Sequence, residues 1–149
     1  MPPKIASVMG DLFSSEKRSE IMSAIHSKNT KAELIVFSYL RKNKVHFLKH
    51  YSKVPGKPDI AVPRKKLACF IDGDFWHGRD FDRIAKKHGA GSYWYEKIST
   101  NVVRDRRQRQ ELVQNGWQVL SVWESDLVRK STRASVLNKI NEFLTKEHV

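Results

Sequence analysis

Residues 58–73, with the sequence PDIAVPRKKLACFIDG, carry the strongest fold signal in this chain. Two apolar runs, 58–62 and 67–72, flank a short basic segment that begins with a proline. Because apolar runs bounded by turn residues are typical of paired strands, we expect a β-hairpin whose turn spans residues 63–66. The hairpin brings Asp59, near its start, and Asp72, at its end, to the same end of the strand pair.

We expect Asp59 to lie opposite Ile71, give or take one residue, and the exact register decides which oxygen atoms meet there. If Asp59 lies opposite Asp72, two carboxylates face each other; if it lies opposite Ile71, one carboxylate lies beside a backbone carbonyl. Both arrangements collect hard oxygen ligands of the kind that Mg²⁺ or Mn²⁺ prefers. Such an ion can hold a phosphate and lower the pKa of an attacking water. The alternative, that both aspartates are turn residues at strand ends, stays open.

Helical patterns surround the hairpin. Thr30 and Glu33 have the spacing of a capping box and predict the start of one helix. Gly116 is placed to stop a long one. The expected elements are helices at 14–25, from 30, at 93–115 and at 131–146, strands at 45–48 and 117–123 (the latter buried), and a loop at 78–92. Helices flanking a short mixed sheet indicate an α/β or α+β fold in a single domain, 1–149, with residues 1–12 as a mobile start.

The segment after the hairpin, Asp74–Phe75–Trp76–His77–Gly78, combines aromatic and titratable side chains. His77 follows the acidic end of the hairpin closely, which favours an acid–base role, although a structural histidine is the alternative. Phe75 and Trp76 are adjacent in an expected loop, so both cannot fill one core face of a regular element. Exposed aromatics in a basic protein can stack on bases or wedge between them; core packing remains open for one of the two.

The expected helix 93–115 is rich in cations, which suggests contacts with phosphate groups. A solvated helix face is the alternative, and we favour it for Arg106 and Arg107. Asp105 is the lone acid in this basic run, so it either pairs with a cation or orients His77. The polar residues concerned are Lys97, Asn101, Arg104, Asp105, Arg106, Arg107 and Arg109.

The overall composition supports a polyanionic partner. Lys and Arg total 28 against 16 for Asp and Glu, which gives a formal net charge of +12. A small chain this basic attracts nucleic acid in a salt-sensitive manner. Cys69 is the single cysteine, and we expect it to be a buried small hydrophobe. With no apolar segment of membrane-spanning length, we expect a cytoplasmic protein that binds double-stranded DNA and no membrane.

Several blocks of residues, in order, resemble the very short patch repair (Vsr-type) DNA mismatch endonucleases. The resemblance covers roughly residues 16–130. The blocks are SEIMSAI at 19–25, PGKPD at 55–59, GDFWH at 73–77, EKI at 96–98 with NV at 101–102 and RDRR at 104–107, and GW at 116–117 with VWE at 122–124.

This resemblance implies a restriction-endonuclease-like α/β fold of the PD-(D/E)xK type, with a central mixed sheet flanked by helices. It also implies magnesium-dependent cleavage of one DNA strand next to a T:G mismatch. Asp59 matches the metal-binding aspartate of the family, and Ile71 the residue whose backbone carbonyl also ligates the metal. His77 matches the catalytic histidine, and Asp105 its acidic helper.

Further positions of the family can be carried over. Glu33 matches a glutamate that supports the catalytic site, although its capping-box role explains it equally well. Met22, Phe75 and Trp76 match side chains that wedge into DNA around the mismatch.

Two departures from the family pattern concern metals. The positions of the family's structural zinc ligands are occupied here by Asp74, Arg79, Phe81 and Ser125, so we expect no zinc. Asp72 replaces a histidine of the usual active site and adds an acid near the metal, as a possible further ligand. The loss of the zinc loop affects the expectation of mismatch specificity more than that of cleavage.

Two other functions compete with a mismatch nuclease. One is a sequence-specific nuclease of the same fold, of restriction or phage-defence type. The other is a DNA-binding module that no longer cleaves, against which Asp59 and His77 argue. Base specificity depends on loop geometry, so the sequence does not separate the first two, and it gives no oligomeric state.

Overall fold

The structure is a computed structural model, and it describes residues 30–89 and 92–146. Three sequence predictions lie outside these residues: the mobile start at 1–12, the helix at 14–25, and the DNA contact assigned to Met22. Within the described ranges, no helix combines the length and apolar character needed to cross a membrane.

A four-stranded mixed sheet forms the centre of the described fold. Its strands lie in chain order, with the first three antiparallel and the last two parallel. The strands are β1 (Leu48–Lys49), β2 (Ile60–Val62), β3 (Leu67–Asp72) and β4 (Gln118–Trp123). Together with the flanking helices, this arrangement confirms the predicted α/β fold with a mixed sheet.

The predicted hairpin is present, and its register lies within one residue of the expected pairing of Asp59 with Ile71, although it is neither of the two arrangements considered above. Ile60 pairs with Cys69, so continuation by one residue places Asp59 opposite Phe70 rather than Ile71 or Asp72. The reason lies in the turn: Pro63–Lys65 form one turn of 3-10 helix, which Lys66 closes in the left-handed conformation (φ 55°). This four-residue connection fixes the strand alignment, and the apolar pattern alone does not reveal it.

The described residues form five helices. They are α1 (Lys31–Lys42), α2 (Phe81–His88), α3 (Tyr93–Gln114), α4 (Glu124–Val128) and α5 (Lys130–Thr145). Four of them flank the sheet, while α2 packs against α3. The predicted capping box at the start of α1 is confirmed, because the Thr30 side chain accepts from the Glu33 N–H and the Glu33 side chain accepts from the Thr30 N–H. Gly116, with φ 88°, follows the end of α3 as predicted.

The prediction of a loop throughout residues 78–92 is wrong, since α2 lies within it. Gly78 and Gly89, which suggested a loop, bracket this helix and have positive φ values of 69° and 78°. The Phe81 ring packs against Tyr95 of α3, with ring centroids 5.2 Å apart. A helix that depends on contact with a neighbouring helix gives only a weak signal in its own sequence.

The first strand is also shorter than predicted, with two residues.

The sheet separates two apolar layers. Leu67, Cys69 and Ile71 face the main core, which α1 and α5 cover, whereas Ala68 and Phe70 face Leu112 of α3. Cys69 is fully buried, as predicted, and burial raises the pKa of its thiol. The strand at 117–123 was expected to be buried, but β4 ends the described sheet and buries Val122 alone of its six residues.

Candidate active site

A cleft of about 1000 Å³ opens where β2 begins and β3 ends. Because the two strands are antiparallel, these two ends lie at the same edge of the sheet. The site residues predicted from the sequence that line this cleft are Glu33, Asp59, Ile71, Asp72, Phe75, Trp76, His77, Arg104 and Asp105. Lys97 and Asn101, predicted to contact DNA, are not among the lining residues.

Asp59 lines this cleft and is half-buried. Its Oδ2 atom accepts a hydrogen bond of 2.7 Å from the Ile71 N–H. Burial raises the pKa of Asp59 to about 8; the contact with Glu33 and the charge of Asp72 add to the increase, while the Ile71 N–H opposes it. An acid with this pKa is largely protonated at neutral pH unless a cation balances its charge.

Glu33 and His50 lie next to Asp59. One ligand atom from each of the three side chains lies within 4.8 Å of the other two, which is the spacing of a group that could hold a metal ion. Glu33 also stays in the capping box of α1, so its predicted supporting role and its capping role are compatible.

Sequence reasoning missed His50. The residue directly follows β1, and its N–H donates to the Asp59 carbonyl over 3.0 Å. The pairing of Lys49 with Ile60 therefore continues by one residue and places His50 opposite Asp59. No short motif marks His50; only the pairing of β1 with β2, which the sequence did not give, brings it to the site.

His77 is held by an acid from α3. Its Nδ1 atom is hydrogen-bonded to Oδ2 of Asp105, and Oδ1 of Asp72 lies 3.7 Å from the same nitrogen. Burial raises the pKa of Asp105, but the hydrogen bond to His77, with the charges of His77 and two arginines, outweighs burial and lowers the pKa overall. Asp105 is thus an ionised acceptor that orients the imidazole ring.

Asp72 is paired with a guanidinium group. Both of its oxygens accept hydrogen bonds of 2.7 Å from Arg109, which also donates to Ser121 and stacks 4.1 Å above the Phe70 ring. Arg109 is therefore a partner of Asp72 and not simply one of the phosphate-contacting cations expected on this helix. The metal role predicted for Asp72 gains no support from this geometry, because a cation of the chain already occupies both oxygens.

Phe75 and Trp76 are both buried, with 5% and 2% of their surface exposed. They pack with Trp94 and Ile98 in one cluster, with the rings of Trp76 and Trp94 5.5 Å apart. The expectation that core packing would apply to only one of the two is wrong, because residues 74–80 form successive turns, as expected outside a regular element, and these turns direct both rings inward. A wedge into DNA, which stays a prediction, requires these rings to leave the cluster.

Two polar residues of α3 differ in their suitability for DNA contacts. Asn101 is 3% exposed, and its side-chain amide donates to the Trp76 carbonyl over 3.0 Å. The Asn101 side chain therefore holds the turn that carries Phe75 and Trp76 and does not face solvent. The Arg104 side chain is 42% exposed at the cleft and lies 3.4 Å from Asp105. Arg104 therefore remains available for a phosphate, whereas Asn101 does not.

Three of the four positions that match zinc ligands form a polar cluster. Arg79 donates to Asp74 over 3.1 Å and to Ser125 over 2.9 Å, and the Ser125 N–H donates to Asp74 over 3.1 Å. A hydrogen bond to Asp126 raises the pKa of Arg79, and Asp74 adds to the increase. This cluster joins the turns at 74–80 to the start of α4.

A mixed sheet flanked by helices, with acids and a His–Asp pair at the end of its hairpin, defines a restriction-endonuclease-like DNA endonuclease. The family described as DNA mismatch endonuclease Vsr matches residues 10–83. The DNA mismatch endonuclease Vsr of Escherichia coli is 32% identical over 141 residues, which cover 93% of this chain and 90% of that protein. The chain therefore belongs to the Vsr family, as its sequence motifs predicted.

Other relatives are named as nicking enzymes. The type II nicking enzyme V.NmeAIP of Neisseria meningitidis is 36% identical over 132 residues, covering 89% of this chain and 94% of that enzyme. V.XorIIP of Xanthomonas oryzae, also a type II nicking enzyme, is 37% identical over 119 residues, covering 80% and 88%. This chain is thus a Vsr-like DNA endonuclease.

Proposed function

We propose that this protein cuts one strand of duplex DNA next to a T:G mismatch in a reaction that depends on Mg²⁺. The observation that carries the proposal is that Asp59, an acid with a raised pKa, and the His77–Asp105 pair line the same cleft. The likeness to the E. coli enzyme named as a DNA mismatch endonuclease supports the choice of substrate.

The residues around Asp59 fit a divalent cation. Carboxylate oxygens of Asp59 and Glu33 are hard ligands, and a bound cation would offset both the burial and the acidic contacts that raise the pKa of Asp59. Asp59 and the backbone carbonyl of Ile71 would hold the ion, with Glu33 beside them. When bound, it supplies charge stabilisation to a phosphate and a lower pKa to a water molecule.

The chain's own acid–base group is His77. An ionised Asp105 on Nδ1 keeps the proton on that nitrogen, so Nε2 is the nitrogen that exchanges a proton with the substrate. His77 would therefore move a proton through Nε2, as a base toward water or as an acid toward the leaving oxygen. Arg104, exposed at the rim of the cleft, would bind the DNA backbone.

A sequence-specific nicking activity is a second candidate, and the names of several relatives favour it. Such an enzyme would cut a matched duplex in one sequence context, using the same residues around Asp59. The two candidates differ only in the base pairs that license cleavage.

The proposal is tested with an end-labelled duplex that contains one T:G pair. We expect wild-type protein to nick it with Mg²⁺, and expect neither EDTA-treated protein nor Asp59→Ala to do so. Asp59→Ala should still bind the duplex, because the net charge of +12 supplies most of the non-specific affinity. Cleavage by Asp59→Ala at a rate near that of the wild type would refute the metal role of Asp59.

A further inference from the structure

We propose that Glu33, His50 and Asp59 form a mixed nitrogen–oxygen cation site in which the His50 imidazole is a direct ligand. Such a site prefers a first-row transition-metal dication, for which Mn²⁺ is the probe, over Mg²⁺. The inference rests on the proposed function only because both assign a cation to Asp59. It adds the nitrogen ligand and the metal preference that follows from it.

The spacing of the three side chains fits ligands of one ion. Their donor atoms lie within 4.8 Å of one another, and Glu33 Oε2 is 3.8 Å from His50 Nε2. That distance exceeds a hydrogen bond. Ligands about 2.1 Å from a six-coordinate ion lie roughly 3 Å apart when adjacent and 4.2 Å apart when opposite. The 3.8 Å between Glu33 and His50 falls between these two values, as expected for two ligands of one ion.

The Nε2 atom of His50 is a buried polar atom without a hydrogen bond among the described residues. Buried polar atoms are nearly always bonded, so an unbonded ring nitrogen facing a carboxylate requires an explanation. A cation between His50 and Glu33 would satisfy both groups, because neutral imidazole offers a lone pair and the carboxylate a negative charge.

The backbone holds His50 in this position at some cost. Its φ of 49° lies in the left-handed region, which few residues other than glycine adopt. Its N–H is bonded to the Asp59 carbonyl, and its ring meets the Phe37 ring edge-on with centroids 5.9 Å apart. Strained residues held in place by surrounding contacts are concentrated at functional sites. The ring is thus oriented before any ligand arrives.

The capping box prepares Glu33 in the same way. Oε1 accepts the Thr30 N–H over 3.1 Å, which turns Oε2 toward His50. A carboxylate held by one oxygen loses little rotational freedom when the other binds an ion. The helix cap and the cation site therefore use different oxygens of one side chain.

The nitrogen donor predicts the metal preference. Mg²⁺ favours oxygen ligands and retains its water, whereas imidazole suits first-row transition metals. Loss of the imidazole should consequently weaken the binding of Mn²⁺ far more than that of Mg²⁺.

The test compares full-length wild type, His50→Gln and a matched control, His46→Gln, which changes an exposed histidine four residues away. Binding of Mn²⁺ is measured from the EPR signal of the free ion, Mg²⁺ by competition, and direct ligation by pulsed EPR of ¹⁴N coupling. We expect ¹⁴N coupling in the wild type and in His46→Gln, and its loss in His50→Gln. Mn²⁺ affinity should fall at least about tenfold in His50→Gln, the scale typical of metal-site substitutions.

A second variant, Glu33→Gln, keeps the inference testable if His50→Gln fails to fold. It should weaken Mn²⁺ binding while the ¹⁴N coupling persists, because the imidazole is still present. Coupling that survives His50→Gln, or an equal fall in Mn²⁺ and Mg²⁺ affinity, would overturn the inference. If wild type nicks DNA with Mg²⁺ but shows no ¹⁴N coupling, this inference fails and the proposed function stands; if wild type binds neither ion, both fail.

Discussion

At the scale of single residues, the contact between His77 and Asp105 leads us to expect a specific effect on the rate of nicking. Asp105→Asn removes the charged acceptor that orients the imidazole ring of His77. We expect single-turnover nicking to slow by about 10²–10⁴-fold, the range for loss of a positioned acid–base group, with little change in DNA affinity. Asp82→Asn, at an exposed position of α2, is the control and should leave the rate unchanged. Equal rates in the two variants would remove Asp105 from the mechanism.

Asp59 predicts how stability depends on pH when no cation is bound. Its pKa rises from 3.8 in the unfolded chain to about 8 in the folded protein, so the folded protein retains a proton that the unfolded chain releases. The stability that this proton contributes is complete below about pH 4 and is lost as the pH rises through 8. Melting temperatures of EDTA-treated wild type should therefore fall, relative to Asp59→Asn, between pH 5 and pH 8. A difference that stays constant over this range would contradict the raised pKa.

Substitution of Trp76 distinguishes a role in core packing from a role in DNA contact. Because the side chain is 2% exposed among aromatic neighbours, Trp76→Ala should lower the free energy of unfolding by about 3–5 kcal/mol in urea titrations. Trp117→Ala, at a half-buried position, is the control and should cost less. If Trp76→Ala lost affinity for mismatched DNA selectively and kept its stability, the ring would act as a wedge and not as core.

At the scale of elements, the polar cluster of Asp74, Arg79 and Ser125 joins the turns that carry His77 to the start of α4. These side chains need no metal to hold the two segments together, because the guanidinium and the carboxylate satisfy each other. We therefore expect elemental analysis of protein purified without chelator to find far less than one zinc per chain. One tightly bound zinc per chain would show that another ligand set exists.

The elements also show what the sequence could predict. The hairpin and the capping box of α1 depend on neighbours within a few residues, so their signals are local and both predictions were confirmed. The hairpin register depended on a 3-10 turn closed by Lys66, and α2 on its contact with α3; neither follows from apolar patterning. His50 was missed for a similar reason, since only the pairing of β1 with β2 brings it to Asp59.

The predicted site residues show the same difference between local signals, which the sequence carries, and long-range contacts, which it does not. Asp59 and His77 come from one short stretch of chain, and the structure brings both to the same cleft. Asn101 was predicted to contact DNA from its place among cations, but its side chain bonds to the Trp76 carbonyl. The composition of a helix does not specify which of its faces is buried. The role of Asn101 could therefore be assigned only from the contact between α3 and the turn that carries Trp76.

At the scale of the whole molecule, the net charge of +12 favours binding to DNA. The cleft is lined both by acids, among them Asp59 and Asp72, and by cations, among them Arg104 and Arg109. Burial raises the pKa of Asp59 to about 8, and Arg109 pairs with Asp72, so neither acid presents an unbalanced charge to a phosphate at neutral pH. Binding of DNA is therefore expected to be general, and the central question is which base pair cleavage requires.

That question is answered by comparing two libraries of duplexes with randomised flanking sequence, one with a central T:G pair and one with a T:A pair. With Mg²⁺, we expect single-strand nicks beside the central pair at least about tenfold faster in the T:G library, a preference equivalent to about 1.4 kcal/mol. EDTA should abolish cleavage of both libraries. Equal rates for T:G and T:A, or cleavage of both strands, would contradict a mismatch nickase and leave a sequence-specific nuclease in its place.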